Sequence, residues 1–344
     1  MVRNTTVRAC ICSMLLVSTG SLAEPSSAHG GVNAVPFKLH RDYLIVLQGS
    51  LGRLEKRNVL VDTGTNPTMI DESIAKRLEL KPITDSSRAM HVLQKDVPSY
   101  FVRLPLLAFG PFRREQTPVV VTDLSVFQRV AGVHVDAVVG LDVLAQSSFR
   151  IDYANKQIVF GPVDPNPAAV PFGSKPPFIT IPMLVKNQRL QVLIDTGTAA
   201  LVLFSNRVGD WQKSVPVVSQ RNSSNVGGDV SMREIEVGEM RVGSVEIGTR
   251  SAFITENHCC AFDGLLGISG RNIKEIAFDF ERNVFSWRAR DPDESPLLEK
   301  ERKGCAPDSS SPGWVASARI GSMLPSADID ITCANRPRKP AMAN

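Results

Sequence analysis

Beyond Ala23 this sequence has no apolar run approaching the roughly 18 residues that cross a membrane as a helix, so the folded chain is expected to be soluble and off the membrane. It also lacks a strong charge bias. The 39 Lys and Arg nearly balance the 35 Asp and Glu, leaving a formal net charge of +4. No basic cluster interleaved with aromatics occurs, which argues against nucleic acid as a partner. Histidine is scarce, and the run His258 to Cys260 has no second ligand pair at zinc spacing. Neither a metal nor a cofactor is expected.

The N-terminus is an exception to this plainness. "MVRNTTVR" is positively charged, "ACICSMLLVSTG" is a short apolar stretch, and "SLA" places small residues before Glu24. That order reads as a signal peptide over 1–23, with export to the periplasm or the medium. Cys10 and Cys12 stand at the head of the apolar stretch rather than after it, unlike the cysteine of a lipoprotein. Four cysteines remain: Cys259, Cys260, Cys305 and Cys333. In an oxidising compartment they suggest disulfides, and four cysteines allow three connectivities. A bridge between the neighbours Cys259 and Cys260 would be strained, so each is expected to pair with Cys305 or Cys333.

What the sequence does contain is a repeat. "VLVDTGT" at Val59 to Thr65 returns as "VLIDTGT" at Val192 to Thr198, placing Asp195 133 residues after Asp62. "AVPF" occurs at Ala34 to Phe37 and again at Ala169 to Phe172. "DAVVGLDVL" (Asp136 to Leu144) is answered by "FDGLLGISG" (Phe262 to Gly270), and "FRIDYANKQIVF" (Phe149 to Phe160) by "IAFDFERNVFSW" (Ile276 to Trp287). Four blocks in one order at nearly constant offset indicate an internal duplication. An isolated Asp-Thr-Gly is usually only a turn; two within such a duplication are not.

The elements read mostly as β. "FITIPMLV" and "LQVLID" are short strands rich in β-branched residues, and "DYANKQIVF" and "DFERNVFSW" read as hairpins. Two short helices are expected. Asp71 to Leu80 places Ile74, Ala75 and Leu78 at helical spacing, and Gly270 to Phe278 is a weaker candidate. The organisation is a first β lobe at 34–160, a Pro-rich linker at 161–177, a second β lobe at 178–288, and a charged, Pro/Ser-rich tail at 289–344.

In these paired blocks, over roughly residues 34 to 288, the chain resembles the aspartic peptidases. "FDGLLGIS" looks like the pepsin-type second block, while "VVGLDVL" with "FRIDYANKQIVF" is more similar to bacterial retropepsin-like domains. The resemblance implies an all-β fold of two duplicated β-barrel lobes, with few short helices and the active-site cleft between them. It implies a monomer, since both triplets lie in one chain, and a peptide or protein substrate. Asp62 and Asp195 would be the catalytic pair. Two carboxylates brought together cannot both ionise easily, so the pair shares one proton and can activate a water. Spacing alone does not say which acid carries the proton.

The resemblance also assigns neighbours. Gly64 and Gly197 would leave room for backbone N–H groups to face the carboxylates. Thr63 and Thr196 would hydrogen-bond across the junction, and the Thr65 and Thr198 hydroxyls would donate to their own Asp. Donation to the charged form lowers a carboxyl pKa, so an acidic pH preference is expected. A flap hairpin would close over an extended peptide. Its candidates are Met90 to Phe101, with Tyr100, and Ser224 to Met232, with Gly227 and Gly228 as the tip. Two departures stand out: the first candidate lacks a Gly turn, and Asn66-Pro67 replaces the Ser-Asn of pepsins. The alternative is a non-catalytic peptide-binding module with the same fold; intact Asp, Thr and Gly in both halves argue against it.

Overall fold

The computed structural model describes residues 33–83, 88–92, 95–164, 169–173, 178–247, 251–256, 262–270 and 273–290, all within one compact unit, Met1–Leu298. The segment 1–23 read as a signal peptide, all six cysteines, four of them expected to form disulfides, and residues 291–344 lie outside the described residues.

The fold is all-β with three short α-helices among the described residues. The first half comprises β1 (Ala34–His40), β2 (Leu44–Leu51), β3 (Leu54–Val61), β4 (Met69–Asp71), α1 (Glu72–Arg77), β5 (Arg88–Val92), β6 (Lys95–Phe109), β7 (Phe112–Thr122), α2 (Val126–Ala131), β8 (Ala137–Val139), α3 (Leu141–Leu144), β9 (Phe149–Asp152) and β10 (Gln157–Phe160). The second comprises β11 (Val170–Pro171), β12 (Thr180–Val185), β13 (Gln188–Asp195), β14 (Leu201–Phe204), β15 (Val217–Asn225), β16 (Gly228–Glu236), β17 (Met240–Val242), β18 (Val245–Glu246), β19 (Ser251–Thr255), β20 (Gly264–Gly267), β21 (Ile273–Asp279) and β22 (Val284–Ala289).

Two strands carry the repeated triplets. Each begins polar and ends apolar because its far end is enclosed on both sides. β3 lies between antiparallel β2 and parallel β8, and β13 lies between antiparallel β12 and parallel β20. A strand paired on both edges and covered on both faces reads as a continuous apolar run. Val59, Leu60 and Val61 are accordingly fully buried, as are Val192 and Ile194. One long-range bond recurs in both halves: the Asn58 backbone N–H donates to Asp136 Oδ2 at 2.7 Å, and the Gln191 N–H to Asp263 Oδ2 at 2.8 Å.

A single thirteen-stranded sheet takes strands from both halves, in the order β11-β22-β21-β9-β10-β1-β2-β3-β8-β4-β7-β6-β5. The join is the antiparallel pair β9–β21, where Phe149 faces Phe278 and Ile151 faces Ile276. The Phe149 and Phe278 rings pack at 4.9 Å between centroids. A second sheet of nine strands runs β15-β16-β19-β14-β20-β13-β12-β17-β18, which leaves β15 on an edge.

The helix expected at Asp71 to Leu80 forms as α1. Asp71 caps it, one carboxylate oxygen accepting from the Ser73 N–H at 2.9 Å and the other from the Leu124 N–H at 3.0 Å. The helix expected at Gly270 to Phe278 does not form; Ile273–Asp279 is β21 instead. Its apolar residues fit either period, and pairing with β9 on one side and β22 on the other decides for strand. Within the stretch read as linker, Val170–Pro171 form β11 against β22, as Val35 and Pro36 pair with β10. Both hairpins form, and each turn is held by the Asp before it: Asp152 accepts from the Asn155 N–H at 2.9 Å, and Asp279 from the Arg282 N–H at 2.9 Å.

One large apolar cluster runs through both halves. Two smaller ones stand apart from it, one around Leu44, Met69 and Val138, the other around Leu193, Phe204 and Phe262.

Candidate active site

Asp62 follows β3 directly, and Asp195 is the last residue of β13. Their distance apart is set by the glycines. A Cβ placed on Gly64 would stand 2.6 Å from Asp195 Cγ, and one on Gly197 would stand 2.7 Å from Asp62 Oδ2. Each acid therefore packs onto the glycine of the opposite triplet, and any larger residue there would push it away.

Hydrogen bonds fix both carboxylates. Asp62 Oδ1 accepts from the Gly64 N–H at 2.8 Å, and its Oδ2 from the Thr65 hydroxyl at 2.7 Å. Asp195 Oδ1 accepts from the Gly197 N–H at 2.7 Å. Thr198 reaches Asp195 through its backbone N–H. Beneath the acids, Thr63 and Thr196 are completely buried and bonded reciprocally. The Thr63 hydroxyl donates to the Ile194 carbonyl at 2.8 Å, and the Thr196 hydroxyl to the Val61 carbonyl at 3.2 Å. Each hydroxyl also accepts the other residue's N–H, at 3.0 and 3.2 Å.

This packing acts on the Asp195 carboxyl. Burial, foremost, and the adjacent Asp62 carboxylate push the Asp195 carboxyl well above the usual 3.8. The Gly197 and Thr198 N–H groups pull the other way, and a hydrogen bond with Asp62 adds to the rise. Asp195 thus holds a proton at pH values where an ordinary carboxyl has lost it.

The pair opens into a cleft of about 580 Å³. Leu44, Met69 and Val138 form part of one wall, and Leu193, Phe204 and Phe262 part of the other, so the two smaller apolar clusters flank the dyad. Asn66 and Pro67 line the cleft, and the peptide bond between them is cis.

Of the two flap candidates, the second reaches the cleft. β15 and β16 form a hairpin closed by the pair Asn225 and Gly228, and the Gly227 N–H donates to Asn225 Oδ1 at 2.7 Å. Gly227 and Gly228 shape the turn, with Gly228 at φ 99°. The cleft is lined by the residues before them, Arg221 to Val226, and Val226 packs against the first-half cluster beside Phe127 and Ala131. In the first candidate, β5 pairs with β6 from Arg88 opposite Ser99 to Val92 opposite Lys95; Leu93 and Gln94 lie outside the described residues.

Tyr100 sits on β6 opposite Val121 and packs, partly buried, against the large core cluster; it is not among the described residues that line the cleft. The cleft tyrosine is Tyr43, in the turn between β1 and β2 and near enough to Asp195 for that charge to help raise its phenol pKa, after burial, with Arg41 opposing. The repeat held a signal for it. Tyr43 lies nine residues after the first Ala-Val-Pro-Phe begins, and Phe178, also in the cleft, lies nine after the second.

No curated protein matches this chain. Residues 48–143, from β2 through the first triplet to α3, match the family described as aspartyl protease. Over that segment, 96 of the 344 residues, the chain is similar to the aspartyl protease family.

Proposed function

We propose that this chain is an aspartic endopeptidase that hydrolyses peptide bonds with the Asp62–Asp195 pair. The observation that carries the proposal is the reciprocal packing of each acid on the other triplet's glycine, above the buried Thr63–Thr196 network. The family match supports peptidase function in general.

In this mechanism the protonated carboxyl of the pair donates to the scissile carbonyl oxygen, and its ionised partner takes a proton from the attacking water. The water oxygen bonds to the carbonyl carbon, giving a tetrahedral diol. That partner then passes its proton to the amide nitrogen, the C–N bond breaks, and the diol returns a proton to the first carboxylate as the carboxylic acid product forms. Because the acids share one proton, the apparent pKa values belong to the pair. Both acids come from one chain, so a monomer would suffice. The N-terminal pattern at 1–23 supports an exported enzyme.

The test is peptide cleavage from pH 3 to pH 8 by the chain from Glu24, compared with Asp62→Asn and Asp195→Asn. Each single variant is expected to lose cleavage while keeping its far-ultraviolet circular dichroism. Cleavage by either variant at the wild-type rate would remove the dyad from the mechanism.

A further inference from the structure

The cleft walls are apolar on either side of the dyad, with a polar stretch at Asn222 to Asn225 and one cation beside it. Among the described residues lining the cleft, Arg221 of β15 alone carries positive charge. Its side chain is 40% exposed, yet it is anchored. Nε lies 3.3 Å from the Ser219 hydroxyl and 3.3 Å from Glu234 Oε2, and Ser219 donates to that same carboxylate oxygen at 2.6 Å. The anchor engages the Nε side of the guanidinium. The two Nη groups make no hydrogen bond with a described residue.

A guanidinium held on one side and open on the other is a preorganised carboxylate fork. Its position suits a peptide. β15 is the edge strand of its sheet, so one side of its backbone is unpaired where it borders the cleft. An extended chain lying there would pass along Arg221. The dyad, sharing one proton, carries one negative charge and disfavours anionic peptides; a fixed cation in the cleft lining offsets that repulsion.

We propose that Arg221 is a specificity-determining residue that selects peptides presenting a carboxylate to β15, from an acidic side chain or from the peptide's own C-terminus. This rests on the peptidase reading for its kinetic form, and on the cleft geometry alone for its binding form.

The test uses matched peptides sharing one apolar cleavage pair, with Glu or Gln at single flanking positions, and a Glu-free set ending in acid or amide. Values of kcat/KM are compared for wild type, Arg221→Gln and Arg221→Lys. Wild type is expected to favour the carboxylate member of one pair by about tenfold, the scale of a charge-assisted hydrogen bond. The ratio falls to about one in Arg221→Gln and is intermediate in Arg221→Lys, which keeps the charge without the fork. The pair that responds separates side-chain from terminal carboxylate.

Equal cleavage of every pair by wild type, or a preference that survives in Arg221→Gln, would overturn the proposal and leave the peptidase reading standing. Calorimetric binding of the same peptides to Asp195→Asn, with and without Arg221→Gln, reads selectivity without turnover. If wild type cleaves nothing, tighter binding of the carboxylate peptide that depends on Arg221 sustains the proposal alone, and equal binding overturns it.

Discussion

The backbone N–H of Thr63 donates to the Thr196 hydroxyl at 3.0 Å, and the N–H of Thr196 returns the bond to the Thr63 hydroxyl at 3.2 Å. These residues lie 133 positions apart, and both are fully buried. Each hydroxyl also donates to a carbonyl of the other strand, so two chain segments are fixed in register immediately beneath the acids.

Replacing Thr63 by Val keeps the shape and removes the hydroxyl. The Thr196 N–H and the Ile194 carbonyl are then buried without their partner, at a cost of about 2 kcal/mol. Thermal unfolding is expected to drop by roughly 4–8 °C for a domain of this size, with a parallel loss of kcat/KM. Thr63→Ser keeps the bonds and should recover most of both; equal losses in Val and Ser would discount the hydroxyl.

Gly64→Ala introduces a Cβ 2.6 Å from Asp195 Cγ, a separation the carboxylate must increase. A displacement near 1 Å at reacting groups lowers turnover by about 100-fold. The fold should tolerate the change better than the chemistry does, so kcat/KM is expected to fall while circular dichroism is retained. Wild-type activity in Gly64→Ala would show that the acids need not sit so close.

Asp195 also makes stability depend on pH. Its folded pKa is raised above the usual 3.8, so at the lowest pH folded and unfolded states both hold the proton. As pH rises through 3.8 the unfolded chain releases its proton and the folded chain does not. Stability then declines by up to about 1.4 kcal/mol per pH unit until the folded group titrates. Asp195→Asn removes that slope, so its melting temperature should exceed that of wild type by a margin that widens from pH 3 to pH 7. The high-pH limb of wild-type activity should fall where Asp195 loses its proton, well above the ordinary carboxyl range. A constant margin across pH would contradict the raised pKa.

Asp71 gives a contrast among the acids of the same region. It caps α1 through Ser73 and ties down the Leu124 N–H, and it lies outside the cleft lining. Asp71→Ala is expected to cost about 1–2 kcal/mol of stability, as lost caps do. Activity per folded molecule should be unchanged, measured by kcat/KM well below the melting temperature. A collapse of kcat/KM without destabilisation would place Asp71 in the chemistry.

By itself the sequence determined the elements that local pattern encodes. The doubled Asp-Thr-Gly marked both acids, because a carboxylate after an apolar strand is unusual enough for its repetition to carry meaning. Helix α1 was legible from Ile74, Ala75 and Leu78, and both Asp-headed hairpins from their turn residues. Tertiary structure decided what depends on partners far along the chain. Ile273–Asp279 is a strand because β9 and β22 pair with it on either side, a choice its own periodicity leaves open. Tyr43 rather than Tyr100 faces the cleft because the turn after β1 folds back beside Asp195, whereas β6 carries Tyr100 into the core cluster. Asp62 and Asp195 are near twins in sequence and differ in the folded chain, since burial acts on Asp195 as an environment that no single segment encodes.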